Sequence, residues 1–286
     1  MNSEPNGIQC NFLIDERHST GKGANAVISM LHFYLKQNGI GEKTLFMHAD
    51  NCSGQNKNNM MMWYLMWRVL TDLHSEINLS FLIAGHTKFS PDGGFGLIKR
   101  RFNKTEINCL MDIVEVVESS SKMNTAVLVG TENSNECYVP TYDWSTYLGQ
   151  YFTKLPALKC YHHFKFTNDG MVGCKKTINS PEVSVNILKK SASVKSTLPN
   201  VIQSPGLTPK RQWYLHDSIR EYVSDKFKDT VAPMPAVPKP TSADDGEEED
   251  TTDNVRIEPV ASTSAAKRPN VPSKGHKQGK IKKTKA

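Results

Sequence analysis

Residues Thr44–Asn59 read TLFMHADNCSGQNKNN, and their reading decides the fold. The apolar run Thr44–Ala49 ends in an acid, Asp50. A polar loop rich in Asn, Gly and Ser follows, then the helical pattern MMMWYLMWRVL. An acid at the carboxyl end of a buried strand, ahead of a loop and a helix, is where open α/β sheets hold their ligands. A second segment, Ile83–Phe102 (IAGHTKFSPDGGFGLIKRRF), repeats the design, with His86 and Asp92 in the turn between strand and helix. If the two segments end neighbouring strands, Asp50, His86 and Asp92 face one pocket.

Working outward, residues 10–15 (CNFLID) read as a strand. Residues 24–37 carry Val27, Ile28, Leu31 and Leu35 at helical spacing, with Gly39 placed to cap the end. A helix is expected over roughly 58–73 and a strand over 78–84. Ser90-Pro91-Asp92 starts a further helix, with Ser as cap, Pro in the first turn and an acid on the positive end of the dipole. That helix runs to Phe102, and another covers about 105–118. Strands alternating with helices predict a mainly parallel, layered α/β core. Beyond Lys122, strands are expected at 126–130, 161–166 and 184–189, and a short helix at 144–152. A long amphipathic helix over Leu207–Phe227 is expected to close the domain.

At 286 residues the chain can hold one full domain plus a tail. The boundary falls near 235, giving a folded domain over 1–235 and a charged tail over 236–286. The tail runs from proline-rich sequence through DDGEEED (244–250) to a basic end, 267–286. Low hydrophobicity with blocks of charge predicts disorder there. Residues 231–286 carry ten Lys/Arg against eight Asp/Glu, so +4 of the formal net charge of +6 belongs to the rest of the chain. That mild excess permits contact with nucleic acid without demanding it. The amino end has no basic and apolar signal pattern, and no apolar run approaches the ~20 residues that span a bilayer. Six cysteines without a CxxC pair suit an intracellular, reduced chain, nuclear or cytoplasmic.

The candidate site residues carry two readings each. Asp50 is placed to hold Mg²⁺, since a hard cation prefers carboxylate oxygen, or to cap its own loop. Asn51, Ser53, Gln55 and Asn56 can orient a phosphate, a metal-bound water or the loop itself. His86 and Asp92 can serve as proton carrier and metal ligand, or as a hydrogen-bonded turn residue and a helix-dipole acid. Lys88, Lys99, Arg100 and Arg101 are available to a phosphate backbone or to solvent. Cys160, His162, His163 and Cys174 fit none of the usual zinc spacings. The GxxxxGK[ST], GxSxG and HExxH signatures are missing from the sequence.

Taken together, ADNCSGQNKNN, WYLMWR, IAGHTKFSPDGGFGLIKRRF, FKF and GLTPKRQWYLHDSIREYV resemble a large animal family of multi-copy proteins of mobile-element origin. The resemblance covers roughly residues 10–235. It implies kinship with DDE-type transposases and an RNase H-like core. In such a core Asp50 would be the second acid and Asp92 the third, both Mg²⁺ ligands, with His86 a helper near the scissile phosphate. The first two strands and the first acid have no counterpart here; Asp15 and Glu16 sit at the wrong end of their strand. The resemblance therefore implies an ancestral metal-dependent DNA strand transferase or nuclease that is incomplete in this chain. DNA is the implied partner, with a homo-oligomer or a complementing chain to finish the sheet. The alternative is a non-catalytic nuclear protein that binds DNA or protein.

Overall fold

The computed structural model describes residues 2–3, 7–82, 90–130 and 139–240, and they form a mixed α/β fold. The first elements are β1 (Asn2–Ser3), β2 (Ile8–Ile14), α1 (Ala24–Asn38), β3 (Thr44–Ala49), α2 (Asn59–Leu70) and β4 (Glu76–Phe81). Next come α3 (Ser90–Phe102), α4 (Leu110–Ser120), β5 (Asn124–Val129), β6 (Thr141–Tyr142) and α5 (Trp144–Gly149). The chain then adds β7 (His163–Thr167), β8 (Met171–Lys175), β9 (Val183–Asn186), β10 (Val201–Ile202), α6 (Pro209–Tyr214) and α7 (Lys228–Val231).

The strands form a five-stranded sheet of order β3-β4-β7-β8-β9, a three-stranded sheet β1-β2-β5, and a two-stranded pairing of β10 with β6. The expected mainly parallel sheet does not hold for the larger one. There β3 and β4 are parallel, joined by the α2 crossover, but the other three pairings are antiparallel. For β7 and β8 the cause is local: Thr167-Asn-Asp-Gly170 makes a hairpin turn, with Gly170 at φ +77°, and a tight turn can only join antiparallel strands. The second parallel pair, β2 with β5, lies in the three-stranded sheet.

α2 forms the middle of the core. Met62, Tyr64, Leu65, Met66, Trp67 and Val69 are buried around its whole circumference, as an internal helix requires. It packs between α1, α5 and the inner face of the five-stranded sheet, whose Ile77, Leu79, Phe164, Phe166 and Val172 are fully buried. Trp144 meets Tyr64 and Trp67 edge-on, with ring centroids 5.0 and 5.3 Å apart. Each such pair adds about 0.5–1.5 kcal/mol beyond the area it buries. A polar chain threads this core: Arg68 donates to the Tyr64 hydroxyl and to His74, and His32 meets the same hydroxyl.

Two further differences from expectation are physical. α4 starts at Leu110, five residues later than the pattern suggested, because Asp112 reaches back to the amides of Asn108 and Cys109 and fixes the helix start. The long closing helix is broken. α6 begins as expected, with Thr208 capping the Arg211 amide and Pro209 first in the helix. It then widens into a π turn over Leu215–Ile219 and ends in a 3₁₀ turn, and Val223 is extended. The Arg220 guanidinium, bonded to the carbonyls of Lys228 and Ala232, holds the returning chain. Of the tail expected to be disordered, residues 241–286 lie outside the described residues.

Candidate functional site

Asp50 stands at the carboxyl end of β3, exposed to solvent. Its Oδ1 accepts from the Cys52 amide at 3.1 Å and the Asn56 side-chain amide at 2.7 Å. Among the described residues Oδ2 has no partner. The loop beyond it is wound on one acceptor: the carbonyl of Cys52 receives the amides of Gln55, Asn56 and Lys57. Asn51 ties the two parallel strands together, its Nδ2 donating to the Leu82 carbonyl at 2.5 Å just past β4. Asn51 and Asn56 thus hold the loop, one of the roles open to them in the sequence.

The loop delivers Lys57 into the protein. This lysine is only 6% exposed. Its Nζ donates to Asn51 Oδ1 at 3.1 Å and to the Lys159 carbonyl at 3.4 Å, and it sits 5.2 Å from the centre of the Phe81 ring. All three partners are neutral, and among the described residues no carboxylate pairs with it. Burial holds its ammonium below the ordinary lysine range. Nearby His162 has a buried Nδ1 without a hydrogen-bond partner among the described residues, and burial and the Lys57 charge lower its pKa.

Next to Lys57, the start of α2 faces a cleft of about 420 Å³ lined by Ser53, Lys57, Asn58, Asn59, Leu158 and Lys159. Asn58 caps the helix by accepting from the Met61 amide, and Asn59 Oδ1 accepts from the Leu155 amide, fastening the opposite wall. Ala157 in that wall is held at φ +52°, a conformation that costs a non-glycine residue about 1 kcal/mol.

Asp92 lies in the first turn of α3. The same turn is anchored elsewhere: the Gly94 carbonyl accepts from Asn124, and a Cβ at Gly94 would run into the Gln9 side chain. Gln9 and Asn124 start the parallel strands β2 and β5, so this turn rests at their amino ends, whereas Asp50 is at the carboxyl end of β3. His86 lies outside the described residues. Among the described residues no three His, Cys, Asp or Glu side chains converge as metal ligands would. Cys160 is exposed, while His163 bonds Ser80.

Lys57 and Lys159 were not singled out in the sequence. A signal for Lys57 was present: a cation just before a helix start opposes the helix dipole, which is unfavourable unless something else holds it.

The arrangement defines a mixed α/β domain with a cleft, lined in part by two lysines, where a parallel β-α-β crossover opens. The chain belongs to a family described as a domain of unknown function, DUF7869, whose model matches residues 6–184. No curated protein and no solved structure matches the chain.

Proposed function

We propose that this chain is a DNA-binding relative of the DDE-type transposases, built on an RNase H-like core and catalytically incomplete. The observation that carries the reading is Asp50: an acid with one unengaged oxygen at the carboxyl end of β3, leading through a polar loop into the α2 crossover and the parallel neighbour β4. An RNase H-like core holds its second acid at the corresponding place. Exposed Lys99, Arg100 and Arg101 on the last turn of α3 supply cations for a phosphate backbone.

Mg²⁺ is the cofactor this ancestry implies. Two-metal phosphoryl chemistry needs several carboxylates around cations ~4 Å apart. The groups hydrogen-bonded to Asp50 are neutral amides, and the Lys57 ammonium is bonded to Asn51, the next residue in the chain. That donor set does not fit a two-metal site, and no catalytic step is assigned to it. The expected result is no Mg²⁺- or Mn²⁺-dependent cleavage of plasmid DNA by the isolated chain. Robust cleavage that Asp50→Ala abolishes would overturn the incompleteness.

The second reading, a nuclear binding protein, rests on the basic end of the chain, where Lys282-Lys283-Thr284-Lys285 is densest. A fluorescent fusion lacking residues 267–286 is expected to lose nuclear enrichment. An unchanged nuclear-to-cytoplasmic ratio removes the tail from the account.

A further inference from the structure

We infer that the cleft at the start of α2 is a phosphate-binding site, with Lys57 as its buried cation. This goes beyond kinship with transposases, because neither an RNase H-like core nor Asp50 requires an anion at this place. Three features converge on it. The first is an uncompensated charge. The Lys57 side chain is 6% exposed, and its ammonium meets a side-chain carbonyl, a backbone carbonyl and an aromatic face; Cys160 is the acidic group that acts on it, and among the described residues no carboxylate pairs with it. Burying a charge in that way is costly until a counter-charge arrives.

The second feature is free donors. The first amides of a helix have no partner within it. In α2 the Met61 amide is taken by Asn58 Oδ1 and the Met62 amide by the Asn58 carbonyl. Those of Asn59 and Met60 have no acceptor among the described residues. They point along the positive end of a twelve-residue helix.

The third is room and complementary chemistry. The cleft of about 420 Å³ adds Ser53, a hydroxyl donor, and Lys159, a second cation on the opposite wall. Two cations, a hydroxyl and two amides around an open space suit a tetrahedral oxyanion with several acceptor oxygens. A carboxylate would use fewer of these donors. The phosphate could belong to a nucleic-acid strand or to a free nucleotide, and the chemistry of capture is the same.

The test is calorimetric titration of the full chain with inorganic phosphate, in EDTA and at constant ionic strength. Saturable binding is expected, weakened at least ~10-fold in Lys57→Met, the loss expected when a charge-assisted bond in a buried site is removed. Lys57→Met should melt no lower than the natural protein in phosphate-free buffer, since it removes a buried cation without a counter-ion. A lower melting temperature with unchanged phosphate binding would make Lys57 a structural clamp and overturn the inference. The natural protein gives a test independent of any variant. Its Asn59 and Met60 amide resonances should move on phosphate addition, and their failure to move at saturation would also overturn it.

Competition identifies the source. Displacement of phosphate by a 5′-phosphorylated dinucleotide but not by AMP points to a strand, and the reverse points to a nucleotide. Either supports the site. Because EDTA is present and Asp50 is intact throughout, failure here leaves the Asp50 reading standing, and failure of the nuclease prediction leaves this one standing.

Discussion

His32 and His74 are buried near the Arg68 guanidinium, and burial together with that cation pushes the pKa of each down to about 4. In the unfolded chain both return to about 6.5. As pH falls from 6.5 toward 4 the unfolded state therefore takes up protons that the folded state refuses, and stability is lost through that window. His162 and His163 are shifted in the same direction, by burial first and then by neighbouring positive charge. The carboxylates held low by hydrogen bonds, Glu76 and Asp143 among them, act below this range. The melting temperature is expected to be flat above pH 7 and to fall steadily between pH 6.5 and 4.5. Arg68→Met removes the cation but keeps an apolar stem, so it should raise the His32 and His74 pKa values measured by NMR and flatten the decline. A melting temperature independent of pH across this interval would show the two rings to be solvated. None of this was legible in the sequence, where Arg68 reads as an ordinary residue within MMMWYLMWRVL. Whether a polar side chain is buried depends on what the rest of the chain packs against it, and for α2 that cover comes from α1 and α5.

Elements with a strong local signal were legible. α1 and α3 lie where periodicity and the Ser90-Pro91-Asp92 start placed them, and β3 spans Thr44–Ala49 as read. What failed was pairing and continuity, which are decided at a distance. β8 is short and contains Gly173, so MVGCK carries little strand signal; its pairing with β7 makes it a strand. The closing helix failed for a similar reason. Its apolar positions run without interruption to Phe227, but Arg220 finds the carbonyls of Lys228 and Ala232 at 2.9 and 2.7 Å and the Asp229 carboxylate at 2.6 Å. Those charge-assisted bonds compete with a straight helix and win. Lys57 was missed for the reason Arg68 was: burial is a tertiary property. Arg220→Ala is expected to free the segment that follows, at a local cost of about 1–2 kcal/mol given that the site is partly open to water. Limited proteolysis should then cut first between residues 224 and 240, with the α2 core amides still protected in hydrogen exchange. An unchanged digestion pattern would mean that Trp213, whose indole donates to the Val237 carbonyl at 3.0 Å, holds the segment without help.

At the scale of the whole molecule, the five-stranded sheet is finished differently at its two edges. Beside β9 stand Pro181 and Glu182, a proline and a charge of the kind that discourages further pairing. The β3 edge has no such defence: TLFMHA contains neither proline nor a fixed charge. Among the described residues β3 is hydrogen-bonded to β4 alone. Its inward Leu45, Met47 and Ala49 are only partly covered, whereas their counterparts on β4 (Ile77, Leu79 and Phe81) are buried, and Phe46 on the outer face is 72% exposed. A parallel strand is ordinarily flanked and covered on both faces, so among the described residues this edge is left without a second neighbour. An antiparallel pairing of two copies centred on Phe46 would set Leu45 opposite Met47 on the inner face and Thr44 opposite His48 on the outer one. Cross-strand pairs of this kind contribute ~0.2–1 kcal/mol each, against an association cost of about 4 kcal/mol or more, so pairing is expected only at high protein concentration. The expected outcome in sedimentation or light scattering is a mass that rises with concentration, and a monomer when Phe46→Lys places a charge in the middle of the edge. Because Phe46 is so exposed, that substitution should leave the melting temperature of the monomer nearly unchanged. A natural protein that stays monomeric at every concentration would mean that the edge is closed by residues of its own chain outside those described.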